Sequence, residues 1–502
     1  MRKIVYLPLD ERPCNSKFPE KLLQGNEEFT LVSAPREILG DKKMPASYEK
    51  IKEFLLKETK DADCLVLSVD TLLYGGIVPS RLHNYKAEEL KGRLNLIREL
   101  RAQNEKMVVY AFHLLMRCPQ YSSDDEEPDY YGICGREIFL VGEARDRREL
   151  SLPYDAEQLA ENEKKVAPYL GDYLARRAVN LQLDFASVDM AGKEIDYLVL
   201  PQDDSSVYGF IAQDQRKIRA YVKETRKQNV TAIYPGCDET GMTLVARYIN
   251  SVKGAPRVRL RWASSFGPAV IPLYEDRPVG ETVKYQLTAA GCVLDDDADF
   301  TLFINVPSKD MVSANASGTF RSYEVERCLI EFTQNIEYRL NKGENVAVAD
   351  IAYVNGGDTE LVGMLEEKNC LMRLAAYAGW NTSSNTLGTA IFQASIFTHF
   401  GKTEAHERFL ALRYYEDVGY CSRIRKQICE EFLPGIGLNY FDAGGKEGAV
   451  ADTVKEELNG YIGSLLPSVA SRYKVGKAVQ PWARMFETDL DIIKIRRESC
   501  KR

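Results

Sequence analysis

The chain is poor in the residue types that metal centres and nucleophilic triads require. Its 502 residues include four histidines, at positions 83, 113, 399 and 406, and no two of them have the HxH or HExxH spacing of a zinc site. No GxSxG motif occurs, and no cysteine stands beside a histidine. Gly75-Gly76 and Gly356-Gly357 lack the GxGxxG and GxxxxGKS frames of phosphate-binding loops. We therefore expect no zinc centre, no catalytic triad and no cofactor.

Basic patches and long apolar runs are missing as well. The formal net charge of −8 and the lack of a basic, aromatic-rich stretch argue against a nucleic acid as partner. Only a short apolar segment follows Arg2 and Lys3, so we expect a cytoplasmic protein with neither a signal peptide nor a membrane partner. The 11 cysteines are odd in number and form no CxxC pair, which predicts reduced thiols and no disulfide framework.

The sequence does contain apolar segments that end abruptly in polar residues. The clearest of them spans residues 196–202 and ends in the adjacent carboxylates Asp203 and Asp204, ahead of a helical pattern over 212–226. This pattern is typical of a buried parallel strand whose carboxyl end opens into a loop, where α/β proteins carry their sites. Asp203 and Asp204 are therefore the candidate catalytic pair, although one of two such residues can equally cap the next helix.

Other segments follow the same pattern. They are residues 3–9, 64–69, 107–113, 230–235, 258–262, 300–304 and 346–349. Together with residues 196–202 they make eight strand-like segments, most of them separated by helix-length stretches, which predicts an α/β fold with a (β/α)8 TIM-like barrel over residues 1–358. A further short strand, Thr30 to Ala34, lies either beside the barrel or within it as the second strand. In the second case, one of the last two segments lies outside the ring.

The remaining residues, 359–502, are predicted to form a mainly helical region packed on the barrel. A helical pattern over 359–377 is followed by a loop with Trp380, Asn381 and Asn385. An aromatic plate beside amide groups suits a sugar ring, whose CH face stacks and whose hydroxyls need donors and acceptors. The alternative is a helix cap around a buried tryptophan.

A long polar insertion at residues 117–155 interrupts the strand pattern, and it is most acidic at 122–129. Beside a barrel mouth such a loop acts as a lid or shapes the substrate site, but a solvated run fits the composition equally well. A charged helical stretch, with the length of a helical hairpin, is expected over 155–185.

An acidic mouth with aromatic and amide side chains is typical of glycoside hydrolases, in which carboxyl groups transfer protons and stabilise charge. Two other classes fit the same residues. One is an enzyme whose Mg²⁺ is held by Asp10, Asp70, Asp204 and Asp238, acting on a phosphorylated or carboxylated small molecule. The other is a carbohydrate-binding barrel without catalysis. We assign no metal-binding residue on these grounds.

The predicted strand ends and loops supply the candidate contacts of a small-molecule or oligosaccharide substrate. These are Asp10, Glu11, Arg12, Asp70, Tyr74, Arg81, Arg117, Tyr234, Asp238, Glu239, Asn355, Asp358, Trp380, Asn381 and Asn385. One of Asp238 and Glu239 is also expected to favour the N-terminus of the helix that follows. The sequence leaves the oligomeric state open.

Several motifs resemble those of a bacterial family catalogued as a domain of unknown function. They are Tyr6-Leu-Pro-Leu-Asp-Glu-Arg-Pro13, Leu72-Leu-Tyr-Gly-Gly76, Gln202-Asp-Asp204, Pro235-Gly-Cys-Asp-Glu239 and Ala378-Gly-Trp-Asn-Thr382. The resemblance runs nearly end to end and implies no particular activity.

A second resemblance concerns the acid pair. Its place at the end of the fourth barrel strand is similar to that in retaining β-N-acetylhexosaminidases, which use the 2-acetamido group of the substrate as the nucleophile. This resemblance implies that Asp203 orients the acetamido N–H and that Asp204 is the general acid and base. An internal nucleophile removes the need for a second protein carboxylate. Candidates for the aromatic residues around the acetamido methyl are Trp262, Tyr234 and Tyr208.

Overall fold

The computed structural model describes residues 1–495, which fold into two compact units. The first unit holds Met1–Val245 and the short segment Tyr274–Arg277. The second holds Ala246–Leu273 and the described residues from Pro278 onward. Each unit is built on its own parallel sheet with helices between the strands, so the fold is mixed α/β, as the sequence predicts.

The sheet of the first unit has six strands. They are Arg2–Leu7 (β1), Phe29–Ser33 (β2), Cys64–Ser68 (β3), Val108–Phe112 (β4), Tyr197–Gln202 (β5) and Thr231–Pro235 (β6). They lie in the order β2-β1-β3-β4-β5-β6, and every neighbouring pair is parallel. Because β2 and β3 lie on opposite sides of β1, the chain changes direction along the sheet at β1. In doubly wound sheets, ligands bind outside the carboxyl ends of the strands at such a point.

Helices connect these strands, and a last helix follows β6. They are Pro13–Ser16 (α1), Phe18–Leu23 (α2), Tyr48–Glu58 (α3), Val69–Tyr74 (α4), Pro79–Leu82 (α5), Ala87–Leu94 (α6), Leu96–Gln103 (α7), Tyr131–Glu149 (α8), Ala156–Val166 (α9), Leu170–Met190 (α10), Phe210–Glu224 (α11) and Thr240–Lys253 (α12). The helical stretch predicted over 155–185 is confirmed as α9 and most of α10, but the two do not pack as a hairpin, because α9 packs against α8 and α10 packs against α6 and α11. Strands β3, β5 and β6 are buried at every position, as expected of parallel strands with both faces covered.

The first sheet is open but strongly curved. Three strands separate β1 from β6, so a flat sheet would hold the two about 19 Å apart, at about 4.8 Å per strand. Arg12, which follows β1, nevertheless forms an ion pair of 2.6 Å with Asp238, which follows β6. A Cβ added to Gly241 would lie 2.2 Å from the hydroxyl of Tyr6 on β1. Curvature therefore brings the two strand ends together, although no β1–β6 ladder forms among residues 1–495.

The second unit has its own sheet and two small strand pairs. Its strands are Arg257–Trp262 (β7), Val293–Leu294 (β8), Phe300–Asn305 (β9), Val312–Ser313 (β10), Val346–Asp350 (β11), Tyr353–Val354 (β12), Ala376–Ala378 (β13), Tyr473–Val479 (β14) and Asp489–Lys494 (β15). The parallel sheet has the order β13-β11-β9-β7-β8. Strands β10 and β12 pair in parallel, and β14 and β15 pair antiparallel.

The helices of the second unit lie between its strands and, from residue 383 onward, after β13. They are Val279–Ala289 (α13), Arg321–Glu324 (α14), Leu329–Asn341 (α15), Thr359–Glu367 (α16), Ser383–Phe400 (α17), Glu404–Arg413 (α18), Arg425–Gln427 (α19), Ala449–Leu465 (α20) and Pro467–Ala470 (α21). Two π-helical segments, Tyr414–Ile424 and Ile428–Phe432, adjoin α18 and α19. Arg413, at the end of α18, is fully buried and forms ion pairs with Glu416 and Asp417.

All eight predicted strand segments are strands, and residues 29–33 add the ninth as the edge strand β2. The structure differs from the prediction in how they pair. Five of the eight belong to the first sheet and three to the second, and residues 1–495 form no closed barrel. Alternating strands and helices are common to barrels and to doubly wound sheets, so the pattern alone does not determine whether a sheet closes.

The predicted boundary between residues 358 and 359 lies inside the second unit. After α16 the chain forms β13, which pairs with β11, and so the region predicted to be helical contributes a strand to the sheet. A strand of three residues is too short to be distinguished from a helix end by its periodicity. The end of the predicted C-terminal region, residues 496–502, lies outside the described residues.

Two predictions from composition can be compared with the fold. All cysteines of the described chain are free, as expected of reduced thiols. Within residues 1–495, no helix combines the length and the apolar character needed to cross a membrane.

Gly75 provides a test of the local geometry beside β3. It ends α4 in the left-handed region at φ 89°, and an added Cβ would lie 2.6 Å from the backbone nitrogen of Ala46. We expect Gly75→Ala to destabilise the protein by more than about 2 kcal/mol, because backbone strain and a clash with main chain add together. Gly25→Ala is the matched control, since Gly25 has φ 74° and open space around its Cβ position. Thermal unfolding of both variants measures the difference, and equal melting temperatures would contradict the predicted clash.

Candidate active site

The carboxyl ends of the strands in the first unit carry most of the predicted site residues. Because the strands are parallel, these ends share one edge of the sheet. β1 is followed by Asp10, Glu11 and Arg12, β3 by Asp70, Tyr74 and Arg81, β4 by Arg117, β5 by Asp203 and Asp204, and β6, which contains Tyr234, by Asp238 and Glu239. The other predicted residues, Asn355, Asp358, Trp380, Asn381 and Asn385, belong to the second unit.

Arg12 links the residues after β1 to those after β6. Its Nη2 donates to Asp10 Oδ2 at 2.7 Å and to Asp238 Oδ1 at 2.6 Å. Asn15 reinforces this pair, because its Nδ2 donates to Asp10 Oδ1 at 3.0 Å and to Asp238 Oδ1 at 2.9 Å. All four side chains are buried. One guanidinium and one amide thus provide the donors that two buried carboxylates require.

Arg81 and Arg117 hold the predicted catalytic pair. Arg81 Nη2 donates to Asp203 Oδ2 at 2.8 Å. Arg117 Nη1 donates to Asp204 Oδ2 at 3.0 Å and to Asp203 Oδ2 at 3.5 Å. The two arginine side chains are 3% and 7% exposed, whereas each aspartate side chain is 15% exposed. The pair therefore lies at the edge of a buried ionic cluster, where its carboxylates are still reached by solvent.

Two glutamates of residues 118–130, here called the acidic loop, complete this cluster. Glu127 Oε1 accepts from Arg117 Nε at 2.7 Å and from Arg81 Nη1 at 3.2 Å. Glu126 Oε2 accepts from Arg81 Nη1 at 3.0 Å and from Arg117 Nη2 at 3.2 Å. The sequence identified this loop as a candidate lid but did not single out either residue. A buried glutamate within an acidic run has the same local pattern as a solvated one, and its proximity to Arg117 in the chain was the available signal.

Asp204 has a left-handed backbone conformation and a raised pKa. Its φ is 41°, in the left-handed region that residues other than glycine rarely occupy. In an extended strand Asp203 and Asp204 would point to opposite faces, whereas here both carboxylates reach Arg117. Burial and the charge of Asp203 raise the pKa of Asp204 to about 7. A carboxyl group with such a pKa carries its proton in half of the molecules at neutral pH.

Asp70 and Tyr74 lie on α4, and both are almost completely buried. Asp70 Oδ2 accepts the backbone N–H of Leu114 at 2.9 Å, and this ties the end of β3 to the segment after β4. Burial raises the pKa of Asp70 to about 7. The Tyr74 ring stacks on His83 at a centroid distance of 4.6 Å. These contacts give both residues a supporting role at the base of the strand ends.

Glu239 and Glu11 accept backbone hydrogen bonds in the loops around the clusters, and Tyr234 lies in the adjoining strand. Glu239 is fully buried, and its Oε2 accepts the N–H of Cys237 at 2.8 Å. Burial raises the pKa of Glu239 to about 8. Tyr234 is fully buried within β6. Glu11 Oε1 accepts the N–H of Lys42 at 3.0 Å.

The segment Tyr274–Arg277 was not predicted to contribute, yet it ties β5 to β6. Arg277 Nη1 donates to the carbonyl of Ile233 at 3.0 Å, and its Nη2 donates to Gln202 Oε1 at 2.5 Å. Gln202 Nε2 donates in turn to Asp276 Oδ2 at 3.1 Å. The Tyr274 hydroxyl interacts electrostatically with Asp204. No pattern in the sequence links residues 274–277 to the strands that they join.

The predicted residue Asp358 lies in a buried network of the second unit. Arg327 Nη1 donates to Asp358 Oδ2 at 2.6 Å and to Asn305 Oδ1 at 2.9 Å. Asp358 Oδ1 accepts the N–H of Glu360 at 3.0 Å and caps α16. Burial and the charge of Asp358 raise the pKa of Asp350, its neighbour in this network, to about 7. Asp358 thus joins the ends of β9 and β11 to the helix that follows.

The loop around Trp380 is packed within the second unit. Trp380 is 6% exposed, and its indole nitrogen donates to Thr389 Oγ1 at 3.1 Å. Asn355 and Asn381 both have left-handed backbones, and the Asn355 N–H donates to the Asn381 carbonyl at 2.8 Å. Asn385 is buried in the first turn of α17. These contacts favour the helix-cap interpretation of the loop over an exposed sugar-stacking plate.

No group of three or more histidine, cysteine, aspartate or glutamate side chains within residues 1–495 is arranged to hold a metal ion. In both clusters of the first unit, the carboxylates contact arginine side chains instead.

The buried carboxyl group of Asp70 predicts a pH dependence of stability. Its folded pKa of about 7 exceeds the unfolded value of about 4, so the folded state binds more protons between these pH values. Stability contributed by the neutral group is therefore lost as the pH rises from about 4 to 7, by about 1.4 kcal/mol for each pKa unit. Asp70→Asn keeps an acceptor for Leu114 but cannot ionise. We expect its free energy of unfolding to fall less steeply with pH than that of the wild type in urea titrations, and parallel curves would contradict this.

Comparison with known proteins places the chain in a family. No curated protein matches it. The family model for proteins of unknown function designated DUF4127 matches residues 4–491, nearly the whole chain. This match confirms the predicted resemblance to a domain-of-unknown-function family. The chain therefore belongs to the DUF4127 family.

Proposed function

We propose that the protein is a glycoside hydrolase, acting on β-linked N-acetylhexosaminides by a retaining, substrate-assisted reaction. In this proposal Asp204 is the general acid and base, and Asp203 orients the acetamido group of the substrate.

The main support is that each aspartate of the pair has one oxygen held and one oxygen available. The Oδ2 atoms of Asp203 and Asp204 accept hydrogen bonds from arginine. Neither Oδ1 atom takes part in a hydrogen bond with any described residue of the chain, and both side chains are 15% exposed. Two adjacent carboxyl groups, fixed on one side and open on the other, fit a substrate that needs one acceptor and one proton donor.

The proton affinity of Asp204 supports its role as the acid. General acid catalysis is most effective when the pKa lies near the working pH, and burial with the charge of Asp203 gives Asp204 a pKa of about 7. Its proton would pass to the glycosidic oxygen as the bond to the anomeric carbon breaks. The resulting carboxylate would then take a proton from the water that completes hydrolysis.

Asp203 suits the orienting role because Arg81 and Arg117 hold its other oxygen. An acetamido N–H that donates to Asp203 Oδ1 directs the acetamido carbonyl oxygen toward the anomeric carbon. That oxygen forms the new bond to the anomeric carbon as the leaving group departs, and a cyclic oxazolinium ion results whose N–H still donates to Asp203 Oδ1. Water then attacks the anomeric carbon, the ring C–O bond breaks, and the acetamido group is restored. Such an internal nucleophile gains its advantage from proximity and needs no second protein carboxylate.

A panel of nitrophenyl glycosides tests the activity directly. We expect release of nitrophenol from the β-N-acetylglucosaminide or the β-N-acetylgalactosaminide, and much less from the corresponding β-glucoside, which lacks the acetamido group. Each assay is run with and without EDTA. Turnover that EDTA abolishes would instead favour the magnesium enzyme, and the absence of turnover on the whole panel would contradict the proposal.

Substitution of Asp204 should depend on the leaving group. We expect Asp204→Asn to slow poor leaving groups by a factor on the order of 10² to 10⁴, because these departures need a proton, and to slow activated aryl glycosides less. Asp203→Asn is the matched control, and it should slow both kinds alike because orientation of the nucleophile is needed in either case. Equal, small losses for Asp204→Asn on both kinds of substrate would show that Asp204 is not the acid.

The pH profile provides a second test of the pair. Since the acid must hold its proton, kcat/KM should fall as the pH rises through about 7, the pKa of Asp204. The negative charge of Asp203 helps to raise this pKa, so in Asp203→Asn the alkaline limb should move to lower pH. A limb that stays in place in this variant would argue against Asp204 as the titrating group.

A further inference from the structure

The two glutamates of the acidic loop are arranged so that they fix the orientation of both arginines. Arg117 uses Nε and Nη2 for the glutamates and Nη1 for the aspartates. Arg81 uses Nη1 for the glutamates and Nη2 for Asp203. Because a guanidinium is planar and rigid, fixing one edge fixes the direction of the remaining nitrogen.

The two glutamates differ in how firmly they are held. The Glu127 side chain is 1% exposed, and that of Glu126 is 18% exposed. Glu127 Oε1 makes the shorter contact with Arg117, at 2.7 Å, and its other oxygen is buried. A carboxylate buried between two cations interacts with them more strongly than one that water screens.

We propose that Glu127 is a positioning residue of the candidate active site. It holds the guanidinium groups of Arg81 and Arg117 in the orientation in which they contact Asp203 and Asp204, and it offsets part of their positive charge. The proposal rests on the proposed function only where it concerns turnover. The acidic loop is, in this view, a component of the site and not a solvated run.

The charges around Asp204 come from several elements. Asp203 is its neighbour in the chain, Arg81 lies on α5, and Arg117 and Glu126 come from the segment after β4. Tyr121, on the acidic loop, and Tyr274 also interact with it electrostatically. Both arginines favour the ionised form of Asp204, so their charge must be offset if the carboxyl group is to keep its proton near neutral pH.

Selective ¹³C labelling of aspartate and NMR titration of the Asp204 carboxyl carbon test the proposal without any substrate. In Glu127→Gln the arginines lose a counter-charge, and we expect the pKa of Asp204 to fall by about one unit or more. The charge-matched control is Asp124→Asn, an exposed position on the same loop, which should leave this pKa within a few tenths of a unit. Equal shifts in the two variants, or a lower melting temperature of Glu127→Gln without any shift, would overturn the proposal.

Two further variants keep the test decisive. Glu126→Gln changes a more exposed contact of the same arginines, so it should fold even if Glu127→Gln does not, and its shift should have the same sign. Glu127→Asp retains the charge and should restore at least half of the decrease in the pKa of Asp204.

On an aryl glycoside that the protein cleaves, Glu127→Gln should lower kcat about tenfold or more with little change in KM. If no glycoside is cleaved, the proposed function fails while the titration still decides the role of Glu127.

Discussion

The burial of two arginine side chains among four carboxylates is the interaction on which the rest of the candidate site depends. Each guanidinium loses most of its hydration at 3% and 7% exposure, a cost that only well-formed ion pairs offset. Arg81 and Arg117 obtain these pairs from β5 on one side and from the acidic loop on the other. Strand end and loop are thus interdependent, because removing either leaves buried charge without a partner. Burial and, after it, the charge of Asp203 raise the pKa of Asp204 within this cluster.

Much of the fold could be predicted from the sequence, because buried parallel strands appear in it as apolar runs that end in polar residues. All eight runs are strands, and the residues after β1, β3, β5 and β6 meet at one edge. The division into two sheets was not predictable in this way. Strand pairing depends on contacts between distant residues such as Arg12 and Asp238, and a single sequence does not indicate which strands become neighbours.

The candidate site shows the same limit at the level of single residues. Asp203 and Asp204 were identified because carboxylates at a strand end are easily recognised. Both carboxylates reach Arg117 because Asp204 has a left-handed backbone. No local sequence pattern predicts this backbone conformation. Glu127 was missed because it is buried between Arg117 and Arg81, and Arg81 is 46 residues away in the chain. For Trp380, the sequence supplied both interpretations, and only the packing around its indole favours the helix cap.

The ion pair between Arg12 and Asp238 also has a consequence for how the first unit is made. The two residues are separated by 226 positions, so the curved rim of the sheet cannot close until the chain has been synthesised past β6. At typical rates of protein synthesis, about 5 to 20 residues per second, roughly 10 to 45 seconds pass between the synthesis of β1 and that of Asp238. During this time Arg12 lacks the Asp238 carboxylate that it contacts in the folded unit. Rim closure is therefore expected to be a late, non-local step, and it should be slow relative to formation of the individual helices.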